Sequence, residues 1–437
     1  MVGSLLAAYL GERGYQVDVY ERRPDMRQAN ISAGKSINMA CSTRGWKALD
    51  KIGVGDLVRK EAIAMKGRMM HDVEGNLTFQ PYGKEDEAIY SISRGGLNQI
   101  LMSYAERKGA SFAFNHQCTD VDLKSGSATF FDVEDHKNVH VEGDVLFGTD
   151  GAFSQVRNVM QKLDRFNYSQ SYITHSYKEL HIPAGPDGSF QMEKNALHIW
   201  PRGQFMLIAL PNPDGSFTCT LFLPQEGKNS FDEITTEDAV LRFFEKEFPD
   251  AMKRMPDLTD AFFSNPTSSL AIIRCFPWSY HDKVCLLGDA SHAIVPFYGQ
   301  GMISGFEDCD VLDDIITRNG NDWNQVFREF EKSRKPNADA IADLAMRNFI
   351  EMRDLVGDDK FLLRKKLEKR IHELYPEKFM PLYSMVTFSH IPYAEAKARG
   401  EQQDVVLDEI MNEVPDLEQK LTSDEVTAVI EQKLKLL

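Results

Sequence analysis

Residues 284–305, VCLLGDASHAIVPFYGQGMISG, decide the fold that this sequence predicts. The apolar run 284–287 predicts a short buried strand, which stops at a Gly288-Asp289 turn. Open α/β folds place ligand-binding groups just beyond the carboxyl ends of their strands. We therefore expect Asp289 to face a ligand, and its carboxylate would suit the hydroxyl groups of a polyol.

The second half of this stretch predicts the start of a helix. Pro296 interrupts the chain, and GQG at 299–301 is too rich in glycine for a helix interior. Beyond it, apolar residues recur at every third position from Phe306 to Ile315, which indicates an amphipathic helix. The N–H groups at the start of that helix would suit an electron-rich carbonyl. The alternative is a purely structural strand, loop and helix with an ordinary capping aspartate.

The composition narrows the class of protein. The chain has 437 residues, 42% of them hydrophobic and 10% aromatic, which is enough for two domains with large cores. A formal charge of −16 argues against binding to nucleic acid or to an anionic membrane surface. No apolar run reaches the roughly 18 to 20 residues that a membrane span needs. The six cysteines include no C-x-x-C pair, so we expect reduced thiols, no metal site and a cytoplasmic protein.

The start of the chain resembles the inside of a dinucleotide-binding motif. Residues 3–13 predict a helix, and residues 16–20 alternate like a strand that ends at Glu21. In a Rossmann unit an acidic residue at this point binds a ribose, although a lone surface glutamate is the simpler reading. Gly3 would be the third glycine of G-x-G-x-x-G. We therefore expect the first strand and the glycine turn, about a dozen residues, to be encoded upstream of Met1.

Two further motifs precede a region in which strand patterns dominate. SISRGGLNQIL at 91–101 places Arg94 at the start of a predicted helix, where a surface ion pair is the simpler role. The apolar run 145–147 leads into GTDGAFSQVR, with Asp150 in the turn. From about 166 to 275 strand patterns dominate. Apolar and polar residues alternate over 216–223, after a Pro-Asp-Gly turn, and predict an antiparallel sheet with one packed face.

After Pro336 the sequence predicts helices. Over residues 338–356, Asn348 and Glu351 share the apolar face of a helix. A buried carboxylate without partners is costly. Either a salt bridge or a polar ligand is therefore expected at this face, and the sequence leaves both open.

Taken together, these motifs resemble those of one family. GDA-x-H-x-x-x-P-x-x-GQG, SISR and GxDG-x-x-S-x-VR are similar to motifs of the class A FAD-dependent aromatic hydroxylases. Five stretches resemble the kynurenine 3-monooxygenase subfamily: GKSIN at 34–38, RMMH at 68–71, QPYG at 80–83, NFIEM at 348–352 and PLYSMVTFS at 381–389. The resemblance extends from Gly3 to about Gly400. Lys35 stands where the subfamily has arginine, and Ile303 where it has an amide.

The resemblance implies an α/β fold in three parts. A Rossmann-type FAD-binding domain would comprise 1–70, 90–165 and 276–335, with its first strand missing from this sequence. An inserted antiparallel-sheet substrate domain would comprise 71–89 and 166–275. A helical C-terminal region, 336–437, would close the substrate pocket.

It also implies hydroxylation of L-kynurenine with FAD, O2 and NADPH, the last as a transient co-substrate. The flavin would carry the oxygen transfer, so no catalytic side chain and no metal are expected. The implied cofactor-binding residues are Gly3, Glu21, Arg94, Asp150, Asp289, Gly299, Gly301 and Met302. The implied substrate-binding residues are Arg68, Tyr82, Phe222, Asn348, Glu351 and Tyr383. A hydroxylase for another aromatic acid and a non-catalytic flavin-fold protein remain as alternatives.

Overall fold

The structure is a computed structural model, and it describes residues 1–28, 38–83, 87–352 and 358–436. The expectation about Lys35 lies outside these residues. Within them the expected α/β organisation is confirmed. A nucleotide-binding fold with short parallel strand pairs is joined to a large, mostly antiparallel sheet and to a helical C-terminal region.

The first 160 residues supply most of the nucleotide-binding fold. In chain order the elements are α1 (Val2–Glu12), β1 (Asp18–Tyr20), β2 (Asn38–Cys41), α2 (Thr43–Lys51), α3 (Gly55–Arg59), β3 (Ala62–Met65), β4 (Gly67–His71), β5 (Leu77–Pro81), β6 (Ile89–Ser93), α4 (Arg94–Arg107), β7 (Ser111–Ala113), β8 (His116–Asp122), β9 (Ser127–Asp132), β10 (Lys137–Val141), β11 (Leu146–Gly148) and α5 (Gln155–Met160). Strand β1 pairs in parallel with β7, and β6 lies between β2 and β3. The helix and strand predicted before Glu21 are therefore present.

The middle of the chain forms the large sheet. Its elements are β12 (Asn167–Ile182), β13 (Ala196–Pro201), β14 (Met206–Pro211), β15 (Phe217–Pro224), α6 (Glu237–Glu247), α7 (Pro249–Met252), α8 (Leu258–Ser264) and β16 (Ser268–Phe276). Seven strands lie in the order β16-β12-β15-β14-β13-β4-β5, and all pairs are antiparallel except β13 with β4. Because β4 joins this sheet, the sheet begins at Gly67 and the expected boundary at 71 falls at the end of that strand.

The expectation of one packed face was wrong for this sheet. Leu221 and Leu223 of β15 belong to a core with α6–α8, whereas Phe222 belongs to a second core that includes residues of the C-terminal region. Thr218 and Thr220 are buried as well. Their hydroxyl groups look like a solvent-facing pattern in the sequence, and the packing of a distant part of the chain covers them.

The last part of the chain completes the nucleotide-binding fold and adds helices. Its elements are β17 (Ser279–Tyr280), β18 (Val284–Leu286), α9 (Asp289–His292), α10 (Gly301–Asn319), α11 (Trp323–Ile350), α12 (Asp359–Leu374), α13 (Leu382–Thr387), α14 (Tyr393–Glu413), α15 (Leu417–Lys420) and α16 (Asp424–Lys433). Strand β18 pairs in parallel with β11, which brings together the carboxyl ends of the two motif strands. Among the helices of the described ranges, none combines the length and apolar character that crossing a membrane requires.

Helix α11 contradicts the expectation that a helical region starts at Pro336. The helix begins at Trp323 and continues through the proline, so the expected boundary between 335 and 336 lies inside one element. Proline removes one backbone hydrogen bond from a helix interior. Buried apolar residues on both sides of it, such as Phe330 and Ile341, hold the helix in place, and so does the buried Arg334.

Arg334 belongs to a buried charge cluster centred on Asp308 of α10. The Asp308 carboxylate accepts hydrogen bonds from Gly288 N at 3.0 Å, His292 Nε2 at 2.6 Å and Arg334 Nε at 2.7 Å. Burial alone would raise the pKa of Asp308, but His292 and Arg334 outweigh it and hold that pKa well below its usual range. One carboxylate therefore connects the turn after β18, α9, α10 and α11.

We expect Asp308→Ala to lower the free energy of unfolding by about 3–5 kcal/mol, because it removes a buried carboxylate and leaves three buried donors, on Gly288, His292 and Arg334, without their acceptor. Urea denaturation followed by circular dichroism measures this. Asp314→Ala is the matched control on the same helix. Asp314 is half exposed and pairs with Lys51, so its loss should cost less than about 1 kcal/mol. Equal effects of the two substitutions would contradict the assignment.

The stability of the protein at acid pH should also depend on the Asp308 carboxylate. A depressed pKa in the folded state stabilises the protein above the ordinary aspartate range of about 4, and this contribution is lost as the pH falls through the folded-state pKa. Asp308→Ala should therefore show a smaller further loss of stability than the unsubstituted protein between about pH 4 and pH 2. A parallel decline of both proteins would contradict this prediction.

Candidate functional site

The turn after β18 has the geometry that the sequence predicts. Gly288 adopts a positive φ of 60°, and a Cβ there would lie 3.0 Å from a methyl carbon of Val2 on α1. The Asp289 carboxylate is exposed, and none of the described residues donates a hydrogen bond to it. Partial desolvation by the protein packed around the carboxyl group raises the pKa of Asp289, an effect that His292 and Arg94 oppose. This is an acceptor available to a ligand.

The N-terminus of α10 offers hydrogen-bond donors. Gly299 has a positive φ of 68° and ends a 3-10 turn over Pro296–Tyr298. Gln300 occupies the N-cap, yet its side chain makes no capping bond to the helix. The first N–H groups of the helix, at Gly301 and Met302, therefore have no side-chain cap. Such a helix end favours a carbonyl or anionic acceptor.

Ile303, which replaces an amide of the subfamily, lies in the core. Its side chain is fully buried, and a Cβ on Gly45 would lie 3.5 Å from the Ile303 Cγ1. The isoleucine thus packs between α10 and α2. At this position the chain therefore has an apolar contact between two helices in place of the amide of the subfamily.

Helix α1 lies against the same two motifs. A Cβ on Gly3 would lie 2.5 Å from Thr149 Oγ1, so only glycine lets the helix approach the turn after β11. Close helix–strand packing is the role of the third glycine in a dinucleotide motif. Glu21 and Arg94 both interact electrostatically with the Met1 amino group, as does Asp289. The structure therefore gathers four of the expected cofactor residues around one spot.

Asp150 has a structural role that the sequence did not indicate. Its carboxylate accepts hydrogen bonds from Gln155 N at 2.7 Å and Val156 N at 3.1 Å, which caps α5. A cofactor contact by Asp150 stays a prediction.

Arg157, at the end of the same motif, was absent from the expected site residues. Its buried guanidinium donates to Ala152 O at 2.6 Å and Ala290 O at 2.8 Å, and it lies over the ring of Tyr168. Arg157 thereby connects the GTDG turn to the turn that carries Asp289. Its fixed offset within the GxDG-x-x-S-x-VR motif was the available signal.

Three expected substrate residues lie together where the large sheet meets helix α13 of the C-terminal region. The guanidinium carbon of Arg68 lies 5.5 Å from the ring centre of Tyr82 and 4.9 Å from that of Tyr383. Its buried Nε–H has no hydrogen-bond partner among the described residues. Tyr298, which the sequence did not single out, stacks on Tyr383 with ring centres 5.5 Å apart. A cation flanked by phenols suits a carboxylate ligand.

The remaining expected substrate residues lie around the 3-10 turn. Phe222 is buried, and its ring centre lies 5.0 Å from that of Phe297. Asn348 donates from Nδ2 to Phe297 O at 2.6 Å. Glu351 pairs with Arg347 at 3.0 Å, so the salt-bridge alternative holds for this carboxylate. Direct contact of these residues with substrate stays a prediction.

Comparisons with known proteins show the family and the fold. Residues 1–345 match the FAD binding domain family. The chain is 53% identical over 411 residues to the kynurenine 3-monooxygenase of Flavobacterium johnsoniae, covering 94% of this chain and 92% of that protein. It is 46% identical over 425 residues to the kynurenine 3-monooxygenase of Dictyostelium discoideum, covering 94% and 91%. The solved structure of 2-methyl-3-hydroxypyridine-5-carboxylic acid oxygenase shares the fold, with a TM-score of 0.66 at 17% identity over 81% of this chain and 91% of that one. The chain therefore belongs to the kynurenine 3-monooxygenase family of proteins with an FAD binding domain.

Proposed function

We propose that this chain hydroxylates L-kynurenine to 3-hydroxykynurenine, using FAD as cofactor and O2 and NADPH as co-substrates. The observation that carries the proposal is the Arg68 guanidinium. It lies beside the stacked rings of Tyr82 and Tyr383, within 5.5 Å of both ring centres, and no described residue satisfies its buried Nε–H. A free amino acid with an aromatic ring offers the carboxylate that this group lacks. Relatives named for this activity share about half of their residues with the chain.

The residues of the first site fit FAD. The exposed Asp289 carboxylate would accept a hydrogen bond from a hydroxyl of the ribityl chain. The uncapped N–H groups of Gly301 and Met302 would donate to the pyrimidine edge of the flavin. Glu21, which follows β1, would accept from the adenosine ribose. When bound, FAD supplies the oxygen transfer to the substrate ring.

The residues of the second site would bind and orient the substrate. Arg68 would hold the carboxylate as a planar fork, with the Tyr82 and Tyr383 hydroxyls as further donors. Asn348 lies near the end of α11 and Glu351 is its C-cap. Both would accept hydrogen bonds from the amino group, Glu351 while keeping its ion pair with Arg347. The aniline ring of the substrate would lie against the aromatic ring of Phe222. An aniline activates its own ortho carbon, so the chain needs to supply position and a dry pocket, with no strong base.

A spectrum and a turnover assay test the proposal. Purified protein should show the absorbance of bound flavin, and L-kynurenine should accelerate NADPH oxidation with 3-hydroxykynurenine appearing in proportion. Chromatography with mass detection identifies the product. Stimulation by a different aromatic acid, without hydroxylated kynurenine, would favour the alternative substrate. Protein that never takes up FAD would favour the non-catalytic alternative.

Arg68→Lys should raise the KM for kynurenine about tenfold and change kcat less, because one charge-assisted hydrogen bond is worth roughly 1.5–3 kcal/mol. Lysine keeps the charge and loses the planar fork. Initial rates at varied kynurenine concentration measure the effect. Arg399→Lys is the control, since Arg399 is largely exposed and pairs with Glu395 on the surface of α14. An unchanged KM in Arg68→Lys would refute this assignment.

Asp289→Ala should weaken FAD binding about tenfold or more, since it removes a charged hydrogen-bond acceptor. Folding of the apoprotein should change little, because no described residue bonds to that carboxylate. Titration of apoprotein with FAD, followed by flavin fluorescence, gives the dissociation constant. Asp282→Ala provides the control from the exposed turn before β18. A fully flavin-loaded Asp289→Ala protein would show that the carboxylate serves another purpose.

A further inference from the structure

Arg44 on α2 is only 2% exposed, and neither expected site includes it. Its guanidinium donates from Nε to Val386 O at 3.1 Å and from Nη2 to Met385 O at 3.3 Å. The same Nη2 donates to Ile391 O, and Nη1 donates to Glu307 Oε1 at 2.8 Å. One side chain near the start of the protein therefore satisfies three carbonyls that lie more than 340 residues later.

Two of those carbonyls belong to the last turn of α13. The last four carbonyls of a helix have no partner inside it, and a cation near them is also favoured by the helix dipole. Met385 and Val386 are both buried, and while Met385 O also accepts from Ser389 Oγ at 2.5 Å, Arg44 is the side-chain donor to Val386 O among the described residues. Helix α13 also carries Tyr383 in its first turn. The position of the tyrosine ring beside Arg68 thus depends on how α13 is held.

A second link runs from the C-terminal region to the start of α10. The Arg44 guanidinium lies 4.3 Å from the ring centre of Tyr393, the first residue of α14. Tyr393 is fully buried, and its hydroxyl donates to Gln300 Oε1 at 2.8 Å. Gln300 lies between Gly299 and Gly301. This hydrogen bond ties the C-terminal region to the turn from which the α10 donors project.

Glu307 joins these links to the buried charge cluster. It accepts from Arg44 on one oxygen and from Arg334 Nη1 at 2.6 Å on the other. Burial would raise the pKa of Glu307, but Arg334 and Arg44 outweigh burial and lower it. The chain of contacts therefore runs from α13, through Arg44 and Glu307, to α11 and α10 without leaving the interior.

We propose that Arg44 and Tyr393 are positioning residues, which hold α13, the helix that carries Tyr383, in a fixed position relative to the turn 299–301. The proposal rests on the proposed function for its substrate readout only. Arg44 fixes α13, and with it Tyr383. Tyr393 fixes Gln300, and with it the N-terminus of α10. Neither residue is among those expected to bind the substrate or the cofactor.

Hydrogen exchange of the whole, flavin-loaded protein tests the positions without any substrate. Arg44→Lys keeps the charge but lacks the planar fork that reaches several carbonyls, so peptides covering 382–391 should exchange about tenfold faster. Tyr393→Phe removes one hydroxyl and should speed exchange at 299–304 by a similar factor. Arg59→Lys, an arginine over the Trp46 ring at the protein surface, and Tyr172→Phe, an exposed tyrosine, are the matched controls.

Kinetics and cofactor binding separate positioning from mere stability. We expect Arg44→Lys to raise the KM for kynurenine about fivefold with kcat within twofold, and Tyr393→Phe to raise the FAD dissociation constant by a similar factor. Unchanged exchange in both segments, or faster local exchange with unchanged KM and FAD affinity, would overturn the proposal. Should Arg44→Lys fail to fold, the Tyr393→Phe exchange and FAD affinity decide. If the unsubstituted protein ignores kynurenine, the proposed function fails, and the exchange and FAD measurements still decide on positioning.

Discussion

The buried Asp308 carboxylate is the interaction on which the rest of the site depends. An unpaired charge in a protein interior is prohibitively costly, so this carboxylate is tolerated only because three donors from three parts of the chain reach it. One donor is the Gly288 N–H, and it immediately precedes the aspartate expected to bind FAD. The orientation of that turn therefore depends on the ion pair between α10 and α11 as well as on the strand that leads into it.

Close backbone approach is the second constraint. A Cβ atom on Gly288 would lie 3.0 Å from Val2 Cγ2 of α1, and one on Gly305 would lie 2.6 Å from the same atom. A Cβ atom on Gly3 would be similarly close to Thr149 Oγ1. Helix α1, the turn after β11, the turn after β18 and α10 can meet only because these positions carry no side chain. That packing brings the first turns of α10 against Gly288, the residue before Asp289. The cofactor site is thus a consequence of small residues in the core beneath it.

Local patterns in the sequence predicted the elements that local chemistry determines. The strand before Asp289, the helix after GQG and the sheet around the Pro-Asp-Gly turn all follow from periodicity and glycine content. Long-range partners were beyond those patterns. The intrinsic propensity of proline predicts that a helix ends at Pro336, yet α11 continues past it because ion pairs and packing stabilise the helix on both sides. Thr218 and Thr220 of β15 resemble an exposed face in the sequence, yet the fold buries both of them. No spacing rule links Arg44 to carbonyls at the opposite end of the chain.

The turn 296–301 shows why the substrate and cofactor sites cannot be built independently. Asn348 donates to Phe297 O, Tyr298 stacks on Tyr383, and Tyr393 donates to Gln300. All three partners come from the helices that follow the nucleotide-binding fold, while the turn itself starts α10. This six-residue segment therefore contacts the aromatic residues of the expected substrate site and also forms the N-terminus of α10. Any shift of the C-terminal helices must move both, because each contact is a short, buried polar or stacking interaction with little freedom to stretch.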